Sequence, residues 1–317
     1  MIYNFMLRVL LPAAFILFLV VPHARANDKL ILLLDWFINP DHAPLFVAEE
    51  MGYFAQRQLE VEMIAPADPN DPPKLVAAGK ADIAISYQPQ LHVQVAAGLP
   101  LTRFGTLVAT PLNTLLVLKD GPVKTIADLK GRKVGFSVGG FEDALLRAML
   151  ARHGLTLADI TLVNVNFSLS PALLAGQVDA VIGAYRNFEL NQMAIEGYEG
   201  RAFYVEEEGV PSYDELILVA NPEHMDREVL RRFLDALEDG VRYLVNHPEV
   251  SWELFIRGRE ELNDELNRRA WRDTLPRFAL RPAALDRARY MRFAQFMQQQ
   301  GLIPDTLSIE EYATVLE

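Results

Sequence analysis

The stretch Leu75-Val-Ala-Ala-Gly-Lys-Ala-Asp-Ile-Ala-Ile85 decides the fold, because a second version of it occurs as Leu173-Leu-Ala-Gly-Gln-Val-Asp-Ala-Val-Ile182. In each copy an apolar helix is predicted to end at a glycine, Gly79 or Gly176, where a left-handed backbone costs little. An aspartate follows and precedes a short buried strand. A unit that occurs twice predicts two similar lobes, each with a sheet of its own.

Alternating strand and helix patterns surround both copies. The first half has an apolar run at Leu30–Leu34, a helical stretch at Leu45–Tyr53 and a second apolar segment at Leu59–Ile64. The second half opens in the same way, with a strand at Lys133–Ser137 and a helix at Phe141–His153. This order is typical of parallel sheets covered by helices, so we predict an α/β protein.

The two lobes are expected to be joined by two chain crossings. We place these near residue 121, in a Gly-Pro segment, and near residue 213, before a strand at 215–220 that returns to the first lobe. Lobe one then comprises residues 27–121 and 213–317, and lobe two comprises residues 122–212. Residues 223–317 have the pattern of charged amphipathic helices that pack on lobe one. Two crossings imply a cleft lined by the carboxyl ends of strands, where open α/β sheets bind ligands.

The first 26 residues have the pattern of a secretory signal peptide. Arg8 precedes an apolar run, Val9–Val21, and the segment ends in Ala24-Arg-Ala26, which signal peptidase recognises. The alternative is a membrane anchor, but about 13 apolar residues are fewer than the ~20 needed to cross a bilayer. We therefore expect a mature chain that begins at Asn27 and lies in the periplasm.

Composition excludes several classes of protein. Hydrophobic residues make up 51% of the 317 residues, which is a globular composition and not a disordered one. The 30 basic and 42 acidic residues give a net charge of −12, which disfavours binding to nucleic acid. The absence of cysteine excludes disulfides, thiolate metal sites and cysteine nucleophiles, and it argues against a lipid anchor.

Three segments of the sequence resemble a known family. The segment Asp35-Trp-Phe-Ile-Asn-Pro-Asp-His42 with its continuation to Phe54, and the segments around Tyr185-Arg-Asn-Phe-Glu189 and Tyr213-Asp-Glu215, resemble substrate-binding proteins of ATP-driven importers for thiamine pyrimidine precursors. The resemblance covers roughly residues 29–221. Fungal relatives of that family are pyrimidine precursor synthases.

The resemblance implies a two-lobed periplasmic-binding-protein fold, type II-like, with a ligand cleft between the lobes. It implies a small pyrimidine as ligand, which is hydroxymethylpyrimidine or its amino or formylamino derivative. The implied protein partners are an ABC permease and an ATPase. We expect a monomer that is not an enzyme and uses no cofactor or metal.

Three aromatic residues are candidates for stacking on a flat ring. Trp36 follows the first strand, and Tyr87 and Tyr185 follow the repeated strand in the two lobes. Aromatic rings in a cleft stack on planar ligands with about 0.5–1.5 kcal/mol beyond burial. The alternative for each is ordinary packing in a core.

Polar candidates come from the same loops. An aminopyrimidine presents an amine donor beside a ring-nitrogen acceptor, and Asp35, Asn39, Asn187 and Glu189 offer matching groups. Glu189 is the first choice for the amine, or else it complements the start of a helix. Asp35 either contacts the ligand or orients His42, and His42 either donates to the ligand or fixes the loop.

The junction Ser137-Val-Gly139-Gly140 adds backbone donors at the start of a helix, which suit a hydroxymethyl, formyl or phosphate group. The alternative is a tight turn with no ligand. Tyr213, at the second crossing, is expected to act as a hinge, a wall of the cleft, or both.

Other functions were weighed. The Gly-x-Ser-x-Gly and His-Glu-x-x-His patterns of hydrolases and metalloproteases are absent. A synthase of the fungal type uses a lysine-bound pyridoxal phosphate, and Ser86 stands where that lysine would lie. Relatives of similar fold that bind sulfonates, nitrate or taurine need a basic side chain or bare backbone donors, and only Arg186 suggests one. A sensing protein without a transporter has the same sequence pattern.

Overall fold

The computed structural model describes residues 27–316, so the predicted signal peptide lies outside the described residues. Ten strands occur in chain order: β1 Asp28–Leu33, β2 Leu59–Ile64, β3 Ile83–Ser86, β4 Thr102–Val108, β5 Asn113–Leu118, β6 Lys133–Phe136, β7 Thr161–Asn164, β8 Ala180–Tyr185, β9 Gly200–Tyr204 and β10 Leu216–Ala220. The α-helices are α1 Ala43–Glu50, α2 Tyr53–Gln56, α3 Pro72–Ala77, α4 Gln88–Ala96, α5 Glu142–Arg152, α6 Leu169–Leu174, α7 Glu189–Ile195, α8 Arg227–Asn246, α9 Pro248–Phe255, α10 Glu265–Thr274 and α11 Arg287–Gln299.

The strands form two sheets with the same internal plan. The first has the order β2-β1-β3-β10-β4 and the second the order β7-β6-β8-β5-β9. In each sheet three parallel strands are followed by two antiparallel pairings. The α/β class and the two similar lobes predicted from the duplicated unit are therefore confirmed.

The duplicated aspartate has the same structural role in both lobes. Asp82 Oδ2 accepts a hydrogen bond from the backbone N–H of Ile31 at 2.7 Å, which ties the start of β3 to β1. Asp179 Oδ2 accepts from the N–H of Lys133 at 3.0 Å, which ties β8 to β6. The glycine before each aspartate has a φ of +68°, where a side chain would be strained. The repeat therefore marks the point where a helix ends and the central parallel strand begins.

The chain crosses between the lobes earlier than expected. Strand β5 pairs with β8 and β9 in the second sheet, although the predicted boundary at residue 121 assigned it to lobe one. The first crossing is therefore the short segment 109–112, between β4 and β5. The second crossing lies between β9 and β10, a segment that contains Tyr213.

One buried carboxylate joins the two crossings. Glu215 Oε2 accepts hydrogen bonds from the backbone N–H groups of Leu112 at 2.5 Å and Asn113 at 2.9 Å, and from the Tyr213 hydroxyl at 3.1 Å. Its Oε1 accepts from the Tyr185 hydroxyl at 3.4 Å. The side chain is fully buried, and burial raises the pKa of Glu215 to about 7.

The C-terminal helices pack mainly on lobe one, as predicted. The longest of them, α8, is capped by Asp226, whose side chain accepts from the N–H groups of Glu228 and Val229. One face of α8 is buried and packs on α1. Helix α10 differs, because its end also reaches lobe two. No helix within residues 27–316 is long and apolar enough to span a bilayer.

Helices α8 and α1 approach each other most closely at Gly240. A Cβ added there would lie 2.7 Å from the carbonyl oxygen of Pro44 and 2.8 Å from the Cβ of Ala48. Both are parts of a helix and cannot move away easily. Gly240 is therefore needed for close packing and not for helix formation.

We expect Gly240→Ala to lower the free energy of unfolding by about 1–3 kcal/mol, since overpacking a core costs that much. Helix propensity alone would favour alanine by about 1 kcal/mol, so the sign of the change separates the two effects. Urea denaturation measures it, with Asp235→Ala on the exposed face of α8 as the control. A stabilised Gly240→Ala variant would contradict the packing argument.

Candidate functional site

A cavity lies between the lobes, at the carboxyl ends of the central strands. The residues that line it are Asp35, Trp36, Asn39, Asp41, Tyr87, Phe141, Glu142, Leu169, Gly183, Tyr185, Phe188 and Glu189. Among residues 27–316, the lining residues are aromatic or acidic apart from Asn39, Leu169 and Gly183, and none is lysine, arginine or histidine.

Asp35 occupies the floor of this cavity after β1. Its Oδ1 is 2.9 Å from His42 Nε2, and its Oδ2 accepts from the Tyr87 hydroxyl at 2.9 Å. The backbone N–H of Asn39 donates to His42 Nδ1, which places the imidazole proton on Nε2, toward Asp35. Both oxygens of Asp35 are thus occupied within the protein, and His42 is fully buried behind it. This is the orienting role that the sequence left open for the pair.

Glu142 enters the cavity from lobe two, at the start of α5. Its Oε2 accepts from the backbone N–H of Ser137 at 2.7 Å. The carboxylate lies over Gly183, where an added Cβ would be 2.3 Å from Oε1. Burial raises the pKa of Glu142 to about 8, against the backbone hydrogen bonds that lower it. Gly183, with a φ of +96°, leaves the space that this carboxylate fills.

Glu189 has the equivalent position at the start of α7. Its Oε2 accepts from the backbone N–H of Tyr185, at the end of β8, at 2.6 Å. Glu189 is also the acidic residue in the first turn of α7, which is the predicted complement to a helix start. Burial raises the pKa of Glu189 to about 7, and the nearby carboxyl of Asp41 adds to the increase. Glu189 also lines the cavity, so the two roles weighed for it do not exclude each other.

Asp41 brings a third carboxyl to the cavity and links three segments. Asn187 Nδ2 donates to Asp41 Oδ1 at 2.6 Å, and the Thr274 hydroxyl at the end of α10 donates to the same oxygen at 2.8 Å. Beside them, Asn191 Nδ2 donates to Asp273 Oδ2 at 2.8 Å. These contacts join lobe two to lobe one. Burial raises the pKa of Asp41 to about 6.

The Ser137–Gly140 turn contacts the opposite lobe. Asn70, in the loop after β2, accepts from the N–H of Gly139 at 3.0 Å and donates to the carbonyl of Ser137 at 3.2 Å. The Ser137 hydroxyl donates to the carbonyl of Asn166. Gly140 has a φ of +78°, as a tight turn requires. These groups hold the lobes together, and none of them lines the cavity.

Aromatic rings close the space between the lobes. Tyr87 stacks on Phe141 of lobe two with ring centroids 4.7 Å apart, so it faces this ring and not Tyr185. Trp36 packs edge-on against Phe167 of lobe two at 4.5 Å. Tyr185 lies on the cavity wall and donates to Glu215.

The structure brings together half of the residues predicted for the site. Six of them line the cavity: Asp35, Trp36, Asn39, Tyr87, Tyr185 and Glu189. The others support it or join the lobes: His42, Ser137, Gly139, Gly140, Asn187 and Tyr213. Sequence reasoning missed Asp41 and Glu142, although both stand inside segments that it singled out.

The sequence also matches a known protein family. The family described as NMT1/THI5 like matches residues 39–251. This chain belongs to the NMT1/THI5-like family. The resemblance found in the sequence is therefore confirmed.

Members of the NMT1/THI5-like family differ in what they are named for. A Haemophilus influenzae protein provisionally named for thiamine biosynthesis is 56% identical, over 92% of this chain and 93% of the relative. The formylaminopyrimidine-binding protein of Halalkalibacterium halodurans is 32% identical, over 75% of this chain and 73% of the relative. More distant relatives, 23% to 28% identical, are named 4-amino-5-hydroxymethyl-2-methylpyrimidine phosphate synthases.

A solved structure confirms the predicted periplasmic-binding-protein fold. The periplasmic aliphatic sulphonate binding protein of Escherichia coli superposes with a TM-score of 0.68, covering 92% of this chain and 94% of that chain. Its 19% identity makes this a likeness of fold alone.

The raised pKa of Glu142 predicts an effect on stability. Glutamate titrates near pH 4.5 in the unfolded chain, whereas Glu142 has a pKa of about 8 in the folded protein. The contribution of this group to the free energy of unfolding is therefore complete below pH 4.5 and is lost as the pH rises through about 8. Each unit of pKa shift is worth about 1.4 kcal/mol, so wild type should lose about 3 kcal/mol through this group between pH 5 and pH 8. Glu142→Gln should escape that loss.

Urea denaturation of ligand-free protein from pH 5 to pH 8 measures the difference. The control is Glu196→Gln, an exposed position just after the end of α7, which should follow wild type throughout. Parallel curves for wild type and Glu142→Gln would show that Glu142 is ionised in the folded protein.

Proposed function

We propose that this protein is the solute-binding subunit of an ABC importer and captures a thiamine pyrimidine precursor in the periplasm. The observation that carries the proposal is the cavity itself, in which aromatic rings and acidic side chains enclose a space between two lobes. Aromatic faces suit a planar ring, and carboxylates suit its amine hydrogens. The similarity to a formylaminopyrimidine-binding protein supports the same class of ligand.

A sulfonate or nitrate ligand fits the cavity poorly. Such anions need cationic or backbone donors, and no lysine, arginine or histidine lines the cavity within residues 27–316. The one basic candidate from the sequence, Arg186, is engaged elsewhere: it donates to both carboxylate oxygens of Glu206 at 2.7 and 2.8 Å and lies over the ring of Tyr204 at 4.3 Å. Sharing a fold with sulfonate-binding proteins therefore does not imply that this protein binds a sulfonate.

A synthase activity is also disfavoured. Ser86 stands where the synthase lysine is expected, and its hydroxyl donates to Gln90 at 2.9 Å. A serine cannot form a Schiff base with pyridoxal phosphate. The proposed periplasmic location, which rests on the signal sequence of residues 1–26, also separates the protein from cytosolic biosynthesis. We therefore propose binding without catalysis.

The proposal is tested by isolating the natural ligand. Mature protein purified from the periplasm is denatured, and the released small molecules are identified by mass spectrometry. We expect a substituted aminopyrimidine. An alkylsulfonate, or no aromatic species, would contradict the proposal.

Variants of two lining residues test how the protein recognises the pyrimidine ring and its amine. Glu189→Gln replaces a charged acceptor by a neutral one, and since hydrogen bonds to charged groups are worth about 1.5–3 kcal/mol, affinity for an aminopyrimidine should fall about 10- to 150-fold. The loss should nearly vanish for the same ring without its amine. Trp36→Ala should weaken both ligands alike, because stacking does not sense the amine. Calorimetry measures all combinations, and equal losses for both rings in Glu189→Gln would assign the amine to another group.

Closure of the lobes provides a separate prediction. Asn187→Ala removes the bridge to Asp41 and Thr274, so the ligand-free variant should populate more open states with a larger radius of gyration. A saturating pyrimidine should compact it again, because the ligand contacts both lobes. Small-angle scattering measures this, with the exposed Asn246→Ala as control. An unchanged radius in the variant, with and without ligand, would count against a hinged cleft.

A further inference from the structure

Three carboxyl groups in the cavity have unused hydrogen-bonding capacity. Asp41, Glu142 and Glu189 are 2%, 3% and 7% exposed, so all are more than nine-tenths buried. Each uses one oxygen for the contacts described above, and the other oxygen, Asp41 Oδ2, Glu142 Oε1 or Glu189 Oε1, has no hydrogen-bond partner within residues 27–316. All three residues line the same cavity. The free oxygens therefore call for donors supplied by whatever occupies it.

The surroundings of Glu142 supply no positive charge. The ionisable groups near its carboxyl are Asp143 on the same helix, Glu215 at the second crossing and Tyr87 of lobe one. The other acidic groups of the cavity, Asp35, Asp41 and Glu189, add to the negative potential. Arg186, which lies close enough to Glu215 to lower its pKa, is paired with Glu206. Within the described chain, the charge of Glu142 is thus balanced by a proton or by the ligand.

We propose that the cavity selects a pyrimidine that carries a protonated primary amine, an aminomethyl derivative, over its neutral hydroxymethyl and formylamino counterparts. This inference rests on the proposed function and names the member of the ligand class. Glu142 is the partner of the ammonium group, and the cation displaces the proton that Glu142 holds in the empty site.

The number of hydrogen-bond donors on the ligand and the sign of its charge favour the aminomethyl compound. An aminomethyl aminopyrimidine presents three N–H donors on its ammonium and two on its ring amine, enough for all three free oxygens. A hydroxymethyl group offers one donor and no charge, and a formylamino group offers one N–H donor, a carbonyl acceptor and no charge. Five aromatic side chains line the cavity, and aromatic rings attract a desolvated cation. The burial that raises the pKa of Glu142 to about 8 means that a proton must leave when the cation arrives near neutral pH.

Calorimetry with the three pyrimidines at pH 6, 7 and 8 tests the proposal on wild-type mature protein. The aminomethyl compound should bind at least tenfold more tightly than either neutral one at pH 8, and its affinity should rise about tenfold or more from pH 6 to pH 8, because protons compete for Glu142. Titrations at pH 7 in buffers of different ionisation enthalpy should show release of about one proton per ligand. The neutral compounds should show neither effect.

Variants assign the effect to one residue. Glu142→Gln should reduce affinity for the aminomethyl compound tenfold or more and abolish the proton release. Glu196→Gln, exposed and outside the cavity, should behave as wild type. The measurements on wild type need no variant, so a folding defect cannot hide the answer.

Two outcomes overturn the inference in distinguishable ways. If a neutral pyrimidine binds as tightly as the aminomethyl compound, or binds more tightly at pH 6 with no proton release, then Glu142 acts as a protonated donor and the cation selectivity is wrong while the proposed function stands. If none of the three pyrimidines binds, the proposed function itself fails.

Discussion

The buried carboxylate of Glu215 is the contact on which the two-lobed arrangement depends. It sits on the second crossing and accepts from two consecutive N–H groups of the first crossing, so the two connections behave as one joint. Burying a carboxylate costs free energy unless its oxygens accept hydrogen bonds. Here the two oxygens of Glu215 accept four. Because Tyr185 is one of those donors, the joint and the cavity wall share a hydrogen bond.

The cavity is rich in acidic groups because the same structural position, the carboxyl end of a strand, occurs several times around it. Strands β1 and β3 of lobe one and strands β6 and β8 of lobe two end at the gap, and the segment that follows each strand brings acidic or aromatic side chains to it. Neither lobe alone encloses these groups. The negative charge is therefore concentrated only when the lobes meet, which couples the electrostatics of the site to the distance between the lobes.

Sequence reasoning recovered what local signals encode. The Gly-x-x-Asp unit predicted two lobes because the glycine and the aspartate act within one strand connection. The boundary at residue 121 was misplaced because the local sequence of β5 does not indicate its pairing partners. Those partners are β8 and β9, which come much later in the chain. Glu142 was not selected because its position over Gly183 depends on two strands that only the sheet brings together. Asn187 and Gly139 looked like ligand contacts, since contacts between lobes and contacts to a ligand use the same polar residues at the same edge.

The strand order also constrains the order in which the chain folds. All five strands of lobe two lie within one continuous stretch, residues 113–204. Lobe one instead needs β10 in the middle of its sheet, between β3 and β4, and that strand arrives only after the whole of lobe two. Lobe two can therefore assemble as soon as its own segment is available, whereas lobe one must wait for residue 220 with the edges of β3 and β4 unpaired. Until then those edges are the segments most exposed to aggregation and proteolysis, and long-range pairing of this kind is slow.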